Sequence, residues 1–111
     1  MICLALKRDP FWLDLGHGVR VHVRPCTTAL MMAARSNLPQ SDDAGVRATA
    51  LVKSLGRLGI QDWEGVGDEL GDAIAVTPDG IDALLDLWPM AEAFERLYLA
   101  PALLLDDEKN A

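Results

Sequence analysis

The sequence is poor in cysteine, in aromatic residues and in long apolar runs. Its 111 residues include two cysteines, three tryptophans, two phenylalanines and one tyrosine. Two cysteines are too few for the disulfide framework of a small secreted domain. No apolar run approaches the ~18–20 residues that a membrane-spanning helix needs. We therefore expect neither a disulfide-rich secreted domain nor a membrane protein.

Basic residues are scarce in the C-terminal half of the chain. Residues 1–57 carry eight Lys and Arg against four Asp and Glu, whereas residues 58–111 carry two against thirteen. The net charge is −7 at pH 7. Such a balance repels nucleic acid and anionic membranes, so we expect neither as a partner. It suits solubility, or a basic protein partner.

The length and the apolar content indicate one folded domain. Half of the residues are apolar, which is typical of a globular protein, and 111 residues can close one hydrophobic core. We predict a single domain over residues 1–105 and a charged, frayed tail over residues 106–111. In Met1–Pro10 the charges follow the apolar stretch, which is the reverse of a secretory signal. We therefore expect a cytoplasmic protein.

The N-terminal half contains a predicted β-hairpin. Val19–Arg24 alternates apolar and polar residues without a fault, which indicates a strand with its valines in the core and its arginines and histidine in solvent. Phe11–Leu15 precedes it, and the glycines on either side of His17 allow a tight turn. Residues 2–6 form another short apolar run, interpreted as an edge strand.

Helical patterns follow the hairpin. The first helix is apolar nearly all round and is expected to lie sandwiched between other elements. Gly56 and Gly59 are expected to fray the end of the second helix, and Ala73–Val76 is a candidate short strand. The predicted helix starts lie at Thr27 or Thr28, at Ser41–Asp43, at Thr77–Pro78 and at Pro89.

The order of strands before helices predicts an α+β fold rather than a wound parallel sheet. We expect an N-terminal antiparallel β-hairpin or small sheet packed against about four α-helices.

No motif for catalysis, phosphate binding or dinucleotide binding is present. The candidate zinc ligands are His17, His22, Cys3 and Cys26, and no two of them have the C-x-x-C or H-x-x-x-H spacing of paired ligands. We predict no catalytic, cofactor-binding or metal-binding residue, and not an enzyme; a small enzyme or metal protein is the alternative. The cysteines are interpreted as reduced, buried thiols, although a pairing between them stays open.

A protein-binding surface is the remaining possibility. Large apolar side chains are core residues by default, but a small domain does not always bury all of them. Exposed Trp and Met side chains make adaptable binding surfaces. We place this surface on the last two helices, at Trp88, Met90, Phe94 and Tyr98 with the nearby carboxylates.

A series of short segments from Phe11 to the end carries a family resemblance. The segments are Trp12, the glycine-bounded hairpin with Val19–Pro25, the small-residue helix Thr27–Ala34, then Ile60–Val66, Val76–Pro78 at a helix start, Phe94–Tyr98 and the ending Glu108–Asn110. In this pattern the chain resembles the tail assembly chaperones of long-tailed bacteriophages, prophages and related gene-transfer particles.

The resemblance implies a helper protein in the bacterial host cytoplasm. Such a chaperone binds the long tape-measure protein stoichiometrically and keeps it soluble while tail-tube subunits polymerise around it. Tail-tube subunits are a second candidate partner, and self-association stays open. The family brings no catalytic residues and no cofactor. A structural tail or connector subunit of the virion is the alternative among binding proteins.

Overall fold

A computed structural model describes residues 9–101, which form a three-stranded antiparallel sheet and four α-helices. The predicted α+β fold is thereby confirmed. The predicted strand at residues 2–6 and the tail at residues 106–111 lie outside the described residues. The elements are β1 (Phe11–Gly16), β2 (Val19–Val23), α1 (Thr28–Ser36), α2 (Ala44–Gly59), β3 (Ile60–Glu64), α3 (Pro78–Leu85) and α4 (Trp88–Phe94), and a π-helical turn at Glu95–Leu99 continues α4.

The sheet has the order β1-β2-β3, and Val21 of the central strand lies opposite Leu13 on one side and Trp63 on the other. The hairpin turn places three consecutive residues at positive φ, with His17 at 55° between its two glycines. Glycine adopts this conformation without the steric cost of a Cβ, which explains why glycines surround the turn. The predicted hairpin is confirmed.

One face of the sheet forms the core. Val19, Val21 and Val23 of β2 are buried, as the alternation predicted, together with Ile60 and Trp63 of β3. The helices pack on this face: α4 contacts β1 and α2 contacts β3. The opposite face carries the outward side chains of the strands.

Side-chain caps fix where three of the helices begin. Thr27 Oγ1 accepts from the N–H of Leu30 at 3.2 Å, and Asp43 Oδ1 accepts from the N–H of Gly45 at 2.8 Å. Thr77 Oγ1 accepts from Gly80 N–H at 3.0 Å. Each cap satisfies an N–H that the first helical turn leaves without a partner. All three lie where the sequence predicted a helix start.

Helix α1 differs from its prediction as a sandwiched helix. Only Ala34 is buried, and Met32 is 64% exposed. Among the described residues α1 packs mainly on α2, where the Ser54 hydroxyl donates to the Ala34 carbonyl oxygen at 3.1 Å. The nearly all-apolar pattern was a poor guide here, because alanine and methionine tolerate an exposed helical face.

The prediction for the end of α2 is also wrong. Gly56 and Gly59 are buried and lie in the packed interface, not in a frayed end. A Cβ on Gly56 would lie 2.5 Å from Leu85 Cδ1 of α3. These glycines therefore let neighbouring helices approach α2 closely. The candidate strand at Ala73–Val76 is reduced to a single bridge between Ala73 and Gly67.

Among the described residues, no helix is both long and apolar enough to cross a membrane.

Candidate protein-binding surface

The four residues predicted to form a binding surface do not lie on one surface. Trp88 is 72% exposed, but Met90, Phe94 and Tyr98 are buried and belong to the core. Phe94 and Tyr98 are one helical turn apart and pack together, with ring centroids 4.9 Å apart. The prediction is therefore wrong for these three side chains, because the apolar stripe of α4 is used to cover the sheet.

A hydrogen bond ties the C-terminal end of this helical stretch to the residue that follows β2. The Tyr98 hydroxyl donates to the Arg24 carbonyl oxygen at 2.6 Å. Burial raises the pKa of the Tyr98 phenol above its usual value of 10.0, and the neighbouring Cys26 adds to the increase. Burial likewise raises the pKa of the Cys26 thiol. Burial therefore favours the neutral form of both the phenol and the thiol.

The other end of the stretch is open. Leu87 is 57% exposed and Trp88 is 72% exposed, side by side at the junction of α3 and α4. Leu84 and Leu85 just before them are buried in the core. We call this exposed pair the Leu87–Trp88 ridge.

A groove lies on the Trp88 side of the ridge, with a volume of about 420 Å³. Ala91 and Glu95 line it on the side of Trp88. The opposite wall consists of small side chains on the exposed first half of α2, including Ala48 and Thr49. We call this feature the α2–α4 groove.

A second depression, of about 390 Å³, lies on the Leu87 side of the ridge. It reaches from Pro89 and Met90 to His17 at the hairpin turn and to Val66. The ridge thus stands between two shallow, mainly apolar depressions. Contiguous exposed apolar surface of this kind marks interaction sites more often than scattered single side chains do.

Carboxylates surround the ridge. The region from α3 to the π-helical turn contains five Asp and Glu but only one basic residue, Arg96. Asp86 pairs with Lys53 of α2 at 2.5 Å, and Arg96 pairs with Glu92 at 3.2 Å. Glu95 forms no ion pair within residues 9–101. The rim of the α2–α4 groove is therefore acidic.

The outer face of the sheet is a second candidate surface. Trp12 stacks on His22 with ring centroids 4.8 Å apart, and the Arg20 guanidinium lies 4.8 Å above the Trp12 ring. Arg20 also pairs with Glu64 at 3.1 Å. Because these groups already partner one another, the face offers a ligand less unpaired apolar surface than the ridge does.

The described histidines and cysteine are not clustered as metal ligands. Among residues 9–101, no group of three or more His, Cys, Asp or Glu side chains is placed to hold a metal ion. His17 lies at the hairpin turn and His22 lies under Trp12. Cys26 is half-buried, and Cys3 lies outside the described residues.

The sequence-based prediction did not include Leu87 or the first half of α2 in the binding surface. One signal was available for the leucine: the stripe Ile81, Leu84, Leu85 already fills the buried face of α3, so another apolar residue at 87 falls off that face. Nothing in the sequence indicated that the first half of α2 forms a groove wall. Small residues such as Ala48 predict that a segment is helical, but not what the helix packs against.

Comparisons of the chain with models of known protein families, with curated proteins and with solved structures find no match in any of the three.

Proposed function

We propose that this chain is a tail assembly chaperone of the kind found with long-tailed phages, prophages and gene-transfer particles. It binds the tape-measure protein stoichiometrically and keeps it soluble until tail-tube subunits enclose it. The observation that carries this proposal is the Leu87–Trp88 ridge, two large apolar side chains held in solvent on the acidic side of the domain. The sequence resemblance supports the particular partner.

An exposed tryptophan suits a protein that binds another chain. Tryptophan is enriched among the side chains that dominate binding energy, and it binds by burial in a partner's pocket. Leaving Trp88 and Leu87 exposed offers no benefit to the isolated domain, because their apolar surface stays in water. The burial of that surface is available only when a partner arrives.

The surrounding charge suits the same role. A client that is long and prone to aggregate is kept in solution by a partner that is itself strongly charged. The net charge of −7 serves that purpose. A small ridge also suits reversible binding, since many transient encounters bury interfaces at the small end of the size range.

Co-expression tests the proposal. A tape-measure protein is expressed alone, with this chain, and with the double variant Leu87→Ser/Trp88→Ser. We expect the wild-type chain to raise the soluble fraction of the client and to co-purify with it, and the double variant to lose both effects. Met32→Ser is the matched control, because Met32 is a comparably exposed apolar side chain on α1.

Other outcomes contradict the proposal. If the client precipitates regardless of this chain, or if Met32→Ser fails as the ridge variant does, the ridge is not a chaperone surface. Presence of the chain in purified particles at the copy number of a tail subunit would instead support a structural virion component.

A further inference from the structure

The walls of the α2–α4 groove have the spacing of a helix-packing seam. Gly45, Ala48, Thr49 and Val52 lie at helical intervals of three and four on α2, and the Trp88 ring stands opposite them. Small side chains on one wall let a second helix approach closely, and a large ring on the other wall provides apolar contact area. The first half of α2, residues 44–49, is exposed.

The described ends of the chain lie far from this groove. The chain is helical from Trp88 to Pro101, and a rise of 1.5 Å per residue separates these positions by about 20 Å. Tyr98 near that end contacts Arg24, and Phe11 near the other end pairs with Val23. Both described ends therefore lie near the far end of this helical stretch from Trp88, and an occupant from another molecule needs no chain to cross that distance.

The charge of the rim selects the chemistry of that occupant. Asp86 and Glu95 line the groove, and Asp43 and Lys53 lie beside it. Lys53 pairs with Asp86, whereas Glu95 forms no ion pair within residues 9–101, so the rim carries an excess of negative charge. A second copy of this chain docking groove to groove would bring these carboxylates against their counterparts, and like charges in an interface are unfavourable. A partner segment with Lys or Arg beside its apolar residues would instead pair with them.

We propose that the α2–α4 groove binds one amphipathic helix of a partner protein, with an apolar side chain inserted between Trp88 and α2 and flanking Lys or Arg side chains paired with the rim carboxylates. The assignment of that helix to the tape-measure protein rests on the proposed function. The proposal that the groove binds a basic amphipathic helix does not depend on that function.

The test uses a defined probe and the full chain. A synthetic Leu-Lys amphipathic helix is titrated into ¹⁵N-labelled protein, and the amide signals of Gly45 and Ala48 and the indole N–H of Trp88 are followed. We expect saturable shifts at these signals with a dissociation constant of about 10–100 μM. Ala48→Leu fills the groove and should weaken binding at least about tenfold. Ala33→Leu, on the exposed side of α1, should leave binding unchanged.

Two further peptides separate helix recognition from simple charge attraction. The same peptide with Glu in place of Lys, and the same peptide with a central Pro that prevents helix formation, should both leave the groove signals unshifted. Equal binding of either peptide, or an Ala48→Leu variant that binds as the wild type does, would overturn the proposal.

Two measurements address the other occupants. If Leu103→Ser/Leu104→Ser/Leu105→Ser shifts the groove signals without peptide, the occupant is this chain's own C-terminal segment, and the proposal fails. It also fails if sedimentation shows a dimer that Ala48→Leu dissociates. If the peptide does not bind but the chain still keeps the client soluble in the co-expression test, only this inference is wrong. If the peptide binds but the client stays insoluble, only the chaperone function is wrong.

Discussion

The two ends of the last helical stretch differ in burial although both are rich in apolar residues. At the first end Trp88 is 72% exposed beside a groove, whereas at the other end Phe94 and Tyr98 are buried against the rest of the fold. Hydrophobicity does not distinguish the two ends. What distinguishes them is whether the chain provides a surface to pack against. The buried end should therefore matter for stability, and the exposed end for binding.

The largest expected effect separates the two ends directly. Phe94→Ala removes a fully buried ring and should lower the free energy of unfolding by about 3–5 kcal/mol. Trp88→Ala removes a larger ring from solvent and should change it by less than about 0.5 kcal/mol. Urea unfolding followed by circular dichroism measures both variants.

A domain of ordinary stability, about 5–15 kcal/mol, leaves Phe94→Ala close to unfolding. Phe94→Leu keeps most of the apolar volume and gives a measurable intermediate value. Similar losses for Trp88→Ala and Phe94→Ala would show that the two ends are equally structural, and the comparison would then fail.

The two ends of α2 should also differ in how much a substitution lowers the free energy of unfolding, although by a smaller amount. Gly59 faces the buried end, where an added Cβ would lie 2.6 Å from Tyr98 Oη. Gly59→Ala should cost about 1–3 kcal/mol through overpacking. Gly45 faces the groove, where a Cβ would meet only the exposed Asp43 carboxylate at 3.2 Å. Gly45→Ala should stay within about 0.5 kcal/mol of the wild type, again by urea unfolding.

An outcome in which both glycine variants are neutral would mean that Tyr98 moves aside without loss. The hydrogen bond from Tyr98 to Arg24 would then contribute little to the fold. A loss at Gly45 alone would reverse the predicted order of the two ends.

Local signals predicted much of this fold. The alternation in Val19–Arg24 predicted the hairpin, and Thr77–Pro78 predicted the start of α3, because periodicity and capping act over a few residues. The roles of Gly56 and Gly59 were missed, since close approach between helices depends on distant partners such as Leu85. A glycine near a helix end has the same local signature in either role.

In the candidate site, too, the sequence predicted one part correctly and missed the part that depends on distant contacts. Trp88 was predicted on the surface and is there, but Phe94 and Tyr98 were assigned to that surface because the last two helices are rich in apolar side chains. Their burial depends on β1 and Arg24, which lie more than seventy residues earlier in the chain. No local pattern around Leu97 or Tyr98 reports such a contact.

The Tyr98 hydroxyl should contribute a smaller, pH-dependent part of the stability. Tyr98→Phe leaves the Arg24 carbonyl without this donor and should cost about 1 kcal/mol at pH 7. Folding raises the pKa of this phenol above 10.0, so the folded state holds the proton more tightly than the unfolded state. The wild-type advantage is therefore complete below about pH 10 and declines above it. Urea midpoints of both proteins at pH 7 and pH 10.5 should show the gap narrowing.

A gap that stays constant between those pH values would mean that the phenol titrates alike in both states. The buried end would then owe its stability to packing alone, as the Phe94 variants would report.

The smallest effect belongs to the ion pair beside the groove. Lys53 of α2 pairs with Asp86 at 2.5 Å, but the Asp86 side chain is 64% exposed, and exposed pairs contribute about 0–1 kcal/mol. Lys53→Met should thus cost less than about 1 kcal/mol in urea unfolding. It also frees the Asp86 carboxylate and makes the groove rim more acidic, so it should tighten the Leu-Lys peptide while hardly changing stability. Tighter binding without a stability loss would separate the exposed end from the buried one. A loss of stability for Lys53→Met as large as that for Phe94→Ala would mean that the exposed end also contributes substantially to the stability of the fold.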